Sequence, residues 1–157
     1  MSPETVAYKR SRFSTRLPIG YRYTPSHYWL REFEAGVWRV GFTKFATRML
    51  GDIIEFEFKV QPGAAIEPGL VLGWTEGFKA MSDIFSSASG EFLGANPLLA
   101  GSITLIDHDP YGEGWLYSVR GAPDPRSTDV SGYIAVLDAT VDAMLQSRYD
   151  QKEGHGG

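Results

Sequence analysis

GWTEGFKAMSDIF, residues 73–85, is the stretch on which the reading of this chain turns. Leu72, Trp74, Glu76 and Phe78 fall on one parity, and Gly73, Thr75 and Gly77 fall on the other. After Lys79 the alternation restarts, with Met81, Asp83 and Phe85 set against Ala80, Ser82 and Ile84. Period-two patterning on both sides of a short break predicts two strands and a chain reversal. The tip would be Phe78-Lys79-Ala80, and a lysine there is either a solvated loop charge or a side chain held out for use.

Composition narrows what such a lysine can serve. A chain of 157 residues and 17.4 kDa fits one domain. Eighteen glycines, nine prolines, and aromatics made up of nine Phe, four Trp and eight Tyr favour many turns and short strands over a helical bundle. The net charge of −4 argues against a nucleic-acid partner, which needs a concentrated basic face. The one basic cluster, KRSRFSTR at 9–16, reads as a solvated arm. With no cysteine, disulfides, thiolate metal sites and cysteine nucleophiles are excluded. No apolar run has the length of a membrane span, and the first residues lack the hydrophobic core of a signal peptide. The expected compartment is the cytoplasm. Residues 5–20, basic and free of acids, leave the mitochondrial matrix as the second choice.

Along the chain, residues 1–20 show no sustained periodicity and read as an N-terminal arm. YWLREFEAGVWRVGF, residues 28–42, predicts a hairpin turning at Glu34-Ala35-Gly36. TKFATRMLG predicts a short helix, with Thr43 as N-cap and Gly51 ending it in the left-handed conformation. In DIIEFEFKV, Ile54, Phe56, Phe58 and Val60 would share one face of a strand. Two Pro-Gly turns bracket a short piece in QPGAAIEPG, and Ser89-Gly90 suggests another turn before a further strand. Residues 96–114 read mostly as loop, with a helical turn at Leu98-Leu99, and WLYSV at 115–119 as a late strand. SGYIAVLDATVDAMLQSRY, residues 131–149, predicts an amphipathic helix, and the tail at 150–157 is expected to be disordered. The result is a mainly β domain over 21–149, a small barrel or sandwich with a short inner helix and a C-terminal helix.

Few chemical constellations survive. His27, His108 and His155 have no metal-ligand spacing, and no GxSxG is present. DPYGEGW lacks both a Walker lysine and a following helix, so it reads as a tight turn. Lys79 is a poor nucleophile, because a catalytic amine needs desolvation or neighbouring cations, whereas Glu76 and Asp83 flank this one. It is well placed as an attachment point, since a modifying enzyme must see a hairpin tip. No enzymatic site is expected.

EGFKAMSDIFSSASGEF, residues 76–92, resembles the lipoyl-attachment segment of glycine cleavage H proteins, usually ESVKAxSDxxSPVSGEV. YTPSHYWL (23–30) resembles YTxxHEWV, VGFTKFATRMLGDII (40–54) resembles VGITDYAQxxLGDIV, VQPGAAIEPG (60–69) matches the Pro-Gly region, and DPYGEGWL (109–116) is identical to the family's. The resemblance implies a flattened β-barrel-sandwich hybrid with lipoate bound covalently to Lys79. It also implies that Glu76, Ala80, Ser82 and Asp83 are read by the lipoate-attaching enzyme, with Phe78 beside the arm. The implied partners are glycine decarboxylase, aminomethyltransferase and dihydrolipoyl dehydrogenase, which would meet a monomeric carrier of aminomethyl groups.

Several positions depart from the pattern. Gly77-Phe78 stands for Ser-Val and implies a more flexible attachment strand. Tyr28 stands for Glu, Lys44 for Asp, Ser87-Ala88 for Pro-Val, and His108 for an acid. Such exchanges alter docking surfaces and motivate two alternatives: a lipoate-binding carrier of another pathway, such as sulfur oxidation, or an unmodified scaffold.

Overall fold

The computed structural model describes residues 3–155, with side chains through Gln151. The strands are β1 (Thr5–Arg10), β2 (Phe13–Pro18), β3 (Arg22–Tyr23), β4 (Tyr28–Glu34), β5 (Val37–Phe42), β6 (Ile53–Phe58), β7 (Ala65–Ile66), β8 (Val71–Gly77), β9 (Met81–Phe85), β10 (Ala88–Ala95) and β11 (Tyr117–Pro123). The helices are α1 (Lys44–Leu50), α2 (Leu105–His108) and α3 (Val130–His155), with a 3-10 turn at Pro97–Ala100.

A six-stranded sheet in the order β3-β4-β5-β11-β10-β7 and a three-stranded sheet in the order β6-β8-β9 share one apolar core. Leu30, Val40, Phe92 and Tyr117 enter it from the first sheet, and Ile53, Leu72 and Ile84 from the second. This is the expected barrel-sandwich hybrid, with the sheets unclosed. Burial of so many aliphatic and aromatic side chains is the main force holding the layers together.

A second core lies outside it. Tyr8, Phe13 and Leu17 from the β1–β2 hairpin meet Tyr133, Leu137 and Val141 of α3, with Tyr23, Trp29 and Phe45 between them. Residues 3–20 of the expected arm at 1–20 are therefore not an appendage, and Met1 and Ser2 lie outside the described residues. Their ladder runs from Thr5 opposite Pro18 to Arg10 opposite Phe13. Tyr8 donates to Asp138 at 2.8 Å, and Arg10 makes a two-pronged contact with Asp142 at 2.8 and 2.9 Å. The predicted C-terminal helix is present but continues through His155, across most of the segment expected to be disordered, while Gly156 and Gly157 lie outside the described residues.

Two local readings also change, and the inward face of β8 is set. In β6 a bulge between Ile53 and Glu55 reverses the parity, so Ile53 is buried and Ile54 is 51% exposed. No turn occurs at Ser89-Gly90: β10 is continuous, and Gly90 opposes Gly121 so closely that a Cβ on Gly90 would lie 2.0 Å from the Arg120 carbonyl oxygen. In β8 the small-residue parity faces inward, with Gly73, Thr75 and Gly77 buried and Trp74 and Glu76 half-buried.

Candidate functional site

The stretch at 71–85 forms the predicted hairpin, with Phe78, Lys79 and Ala80 at the reversal between β8 and β9. The register sets Glu76 opposite Met81, Thr75 opposite Ser82 and Trp74 opposite Asp83. The Gly77 amide donates to the Ala80 carbonyl at 2.8 Å and closes the tip.

The tip is fastened through its backbone. The Lys79 amide donates to the Leu50 carbonyl at 2.8 Å, and the Ala80 amide to the same oxygen at 3.3 Å. The Phe78 amide donates to the Asp52 carbonyl at 2.9 Å. That anchor sits at the end of α1, where Thr43 accepts from the Ala46 amide at the N-cap. Gly51 leaves the helix at φ 77° with an extended ψ of 178°, outside the left-handed helical region expected for it. A Cβ on Gly51 would sit 2.9 Å from the Lys79 amide nitrogen. A Cβ on Gly77 would sit 2.2 Å from the Leu50 carbonyl oxygen. Gly77 therefore does not loosen the strand. It lets the hairpin approach the end of α1 closely enough to accept the anchor.

With the main chain fixed, the side chains point outward. Phe78 is 82% exposed and Met81 66%; Lys79, Ala80, Ser82 and Asp83 are also exposed, while Glu76 is half-buried. The Lys79 Nζ leans over α1 to the Arg48 carbonyl oxygen at 3.4 Å. Among the described residues, Lys79 makes no ion pair with Glu76 or Asp83. The Ser82 hydroxyl donates to the Asp83 carbonyl at 2.9 Å, so it shapes its own strand rather than reaching the lysine. The structure thus brings Glu76, Phe78, Lys79 and Ala80 together at the tip, and Ser82 and Asp83 follow along β9.

Lys79 stands between two grooves. One, of about 410 Å³, runs between the β1–β2 turn, α1 and α3. The other, of about 420 Å³, is lined by Lys44, Thr47, Asp52, Phe78 and Asp107. Asp107 accepts from the Ile53 amide at 3.0 Å, and burial raises its carboxyl above the ordinary aspartate value. The first groove is assembled from segments far apart in sequence. Its one signal in the sequence is the basic cluster at 9–16, of which Arg10 and Arg12 line the groove rather than forming a solvated arm.

The position of the family's Glu is filled by Tyr28, buried against Phe42. Its hydroxyl accepts from the Phe85 amide at 3.0 Å, and burial pushes its pKa up to about 12. The side chain is a neutral strut between β4 and β9.

The family model described as glycine cleavage H-protein matches residues 21–133. The chain belongs to the glycine cleavage H-protein family. It is 38% identical over 125 residues to the glycine cleavage system H protein of Bacteroides fragilis, covering 78% of this chain and 98% of that protein. The corresponding protein of Corynebacterium jeikeium is 39% identical over 109 residues, covering 68% of this chain and 85% of its own. The crystal structure of a glycine cleavage system H protein from Mycobacterium marinum superposes with a TM-score of 0.67 at 31% identity, covering 76% of this chain and 97% of that one. H proteins of this family carry lipoate and are carriers rather than catalysts. The β1–β2 hairpin and most of α3 lie outside the residues that the family model matches. No described helix is long and apolar enough to cross a membrane.

Proposed function

We propose that the chain is the lipoyl carrier of a glycine cleavage system, with lipoate joined through an amide bond to Lys79. The observation that carries this is an exposed lysine at the reversal of a hairpin whose backbone is bolted to α1, in a chain of this family. An accessible amine with open grooves on both sides suits an acyl tether, which needs room to swing. Bound lipoate supplies a disulfide able to carry an aminomethyl group from glycine decarboxylase to aminomethyltransferase, with dihydrolipoyl dehydrogenase restoring it. The residues of the chain do the holding. Leu50 and Asp52 fix the base of the arm through their carbonyls, so partners meet the tether at high local concentration. Glu76, Phe78, Ala80, Ser82 and Asp83 offer the attaching enzyme a surface around the amine. In this reading the carrier acts as a monomer in the cytoplasm.

The test is reconstitution of lipoylated protein with glycine decarboxylase. Exchange of the glycine carboxyl with bicarbonate is expected, and a lipoylated protein that supports no exchange sinks the glycine cleavage assignment.

Tyr28 favours a second reading. A buried neutral hydroxyl, bonded to the β9 backbone, stands where the family pattern carries a carboxylate. A lipoyl carrier of another pathway, such as sulfur oxidation, fits that loss. Failure of exchange with lipoylation intact selects it. An unmodified scaffold would instead lack the adduct and tolerate Lys79→Arg.

A further inference from the structure

We propose that the groove between the β1–β2 turn, α1 and α3 is a docking seat for an acidic, apolar-tipped segment of the decarboxylase that reads Lys79. The inference rests on the carrier reading above and adds the surface and the chemistry of recognition.

The groove has an apolar floor and a basic rim. Phe13 and Phe45 meet edge to face at 5.4 Å, and Val141 and Met144 continue the wall. Met49 and Leu145 line it while remaining 44% and 43% exposed, so apolar surface faces water there. Arg10, Arg12, Arg48 and Arg148 surround this floor. Only Arg10 is matched by carboxylates, those of Asp138 and Asp142, at 3.3 and 2.8 Å. Arg12, Arg48 and Arg148 form no ion pair among the described residues. In a chain of net charge −4, unmatched positive charge gathered in one place runs against the background.

An apolar centre within a charged rim is the anatomy of a protein interface. Exposed arginines attract an acidic partner over a distance set by the salt concentration and orient its approach. The two methionines, unbranched and polarizable, adapt to an inserted apolar side chain. Position supplies the link to function. Lys79 itself lines the groove, and exposed Phe78 extends the apolar surface past the amine. The walls at Arg10–Phe13 and Val141–Arg148 lie outside residues 21–133, the part that the family model matches. The basic cluster of the sequence thereby has a role beyond solvation.

The test uses lipoylated protein as the substrate of glycine decarboxylase, with KM and kcat followed against sodium chloride. Reversing the rim with Arg12→Glu and Arg48→Glu together is expected to raise KM about tenfold, hold kcat within about twofold, and flatten the salt dependence. Arg12→Lys with Arg48→Lys should stay near the parent, and Leu145→Ser should raise KM severalfold. Mass spectrometry should show equal lipoylation in every variant, which separates docking from attachment. Equal KM in all variants with exchange intact overturns the seat and leaves the carrier reading standing. A parent that is lipoylated yet gives no exchange overturns the glycine cleavage reading and the seat with it, as does a parent without adduct. Met144 methyl resonances that shift on lipoylation alone, and not on adding the decarboxylase, would assign the groove to the arm and also overturn the proposal.

Discussion

The β1–β2 and β8–β9 hairpins are both antiparallel ladders packed beside α1, but the first is held by its side chains and the second by its main chain. In β1–β2, Tyr8, Phe13 and Leu17 are buried and the ladder leans on α3. In β8–β9, the carbonyls of Leu50 and Asp52 take the amides of the tip, and the side chains of Phe78, Lys79 and Ala80 stay in solvent. A backbone anchor is indifferent to side-chain identity and leaves the lysine free to be modified. A side-chain anchor does the opposite: it commits the residues to packing and turns the hairpin into a wall. One hairpin presents the lysine proposed to bear lipoate, and the other shapes the surface beside it.

The comparison breaks most readily at Phe13. Phe13→Ala should cost about 3–4 kcal/mol in urea denaturation, because the ring is buried against Phe45 and Tyr8. The native fraction should still accept lipoate at Lys79. A loss below about 1 kcal/mol would mean the hairpin is not part of the core.

A pH effect of similar size tests the packing that joins the two regions. His27 bonds through Nδ1 to the Tyr133 hydroxyl at 2.8 Å and lies 4.5 Å from the Phe45 ring, and burial pushes its pKa down to about 4 from 6.5. As pH falls below 6.5 the unfolded chain takes up this proton before the folded one does. Stability from this group is therefore full above about pH 6.5 and lost on the way down to pH 4, by on the order of 3 kcal/mol. His27→Asn, which tolerates the φ of 73° found there, should flatten that part of the stability curve.

Gly77 sharpens the other side of the comparison. Gly77→Val must push the strand from the Leu50 carbonyl, costing about 2 kcal/mol and slowing modification at Lys79, with the β1–β2 hairpin still protected from hydrogen exchange. If modification proceeds at the parental rate, the backbone anchor is not what presents the lysine. The smallest effect belongs to Asp142→Asn. The Arg10–Asp142 pair is exposed, and its loss should leave the denaturation midpoint unchanged within error.

Much of the working hairpin was legible in the sequence because its strands alternate on both sides of Lys79 and its reversal falls where the alternation breaks. The α1 helix was legible for the same local reason, with Thr43 capping its start. The β1–β2 hairpin was not, since its periodicity is carried only by Tyr8, Phe13 and Leu17, and the α3 side chains that complete their core lie more than a hundred residues away. Gly77 and Gly90 were misread for a related reason. A glycine chosen so that two backbones can touch looks, in sequence alone, the same as one chosen for a turn or for flexibility. The bulge that turns Ile54 outward in β6 likewise has no signature in the alternation it interrupts.

Peptide mapping by mass spectrometry, on protein purified from a host competent to attach lipoate, probes the core of the account most directly. The adduct should fall on the tryptic fragment that spans Phe78 and Met81, at Lys79 alone, and disappear in Lys79→Arg. An unmodified Lys79, or an adduct on Lys44 or Lys59 instead, would contradict it.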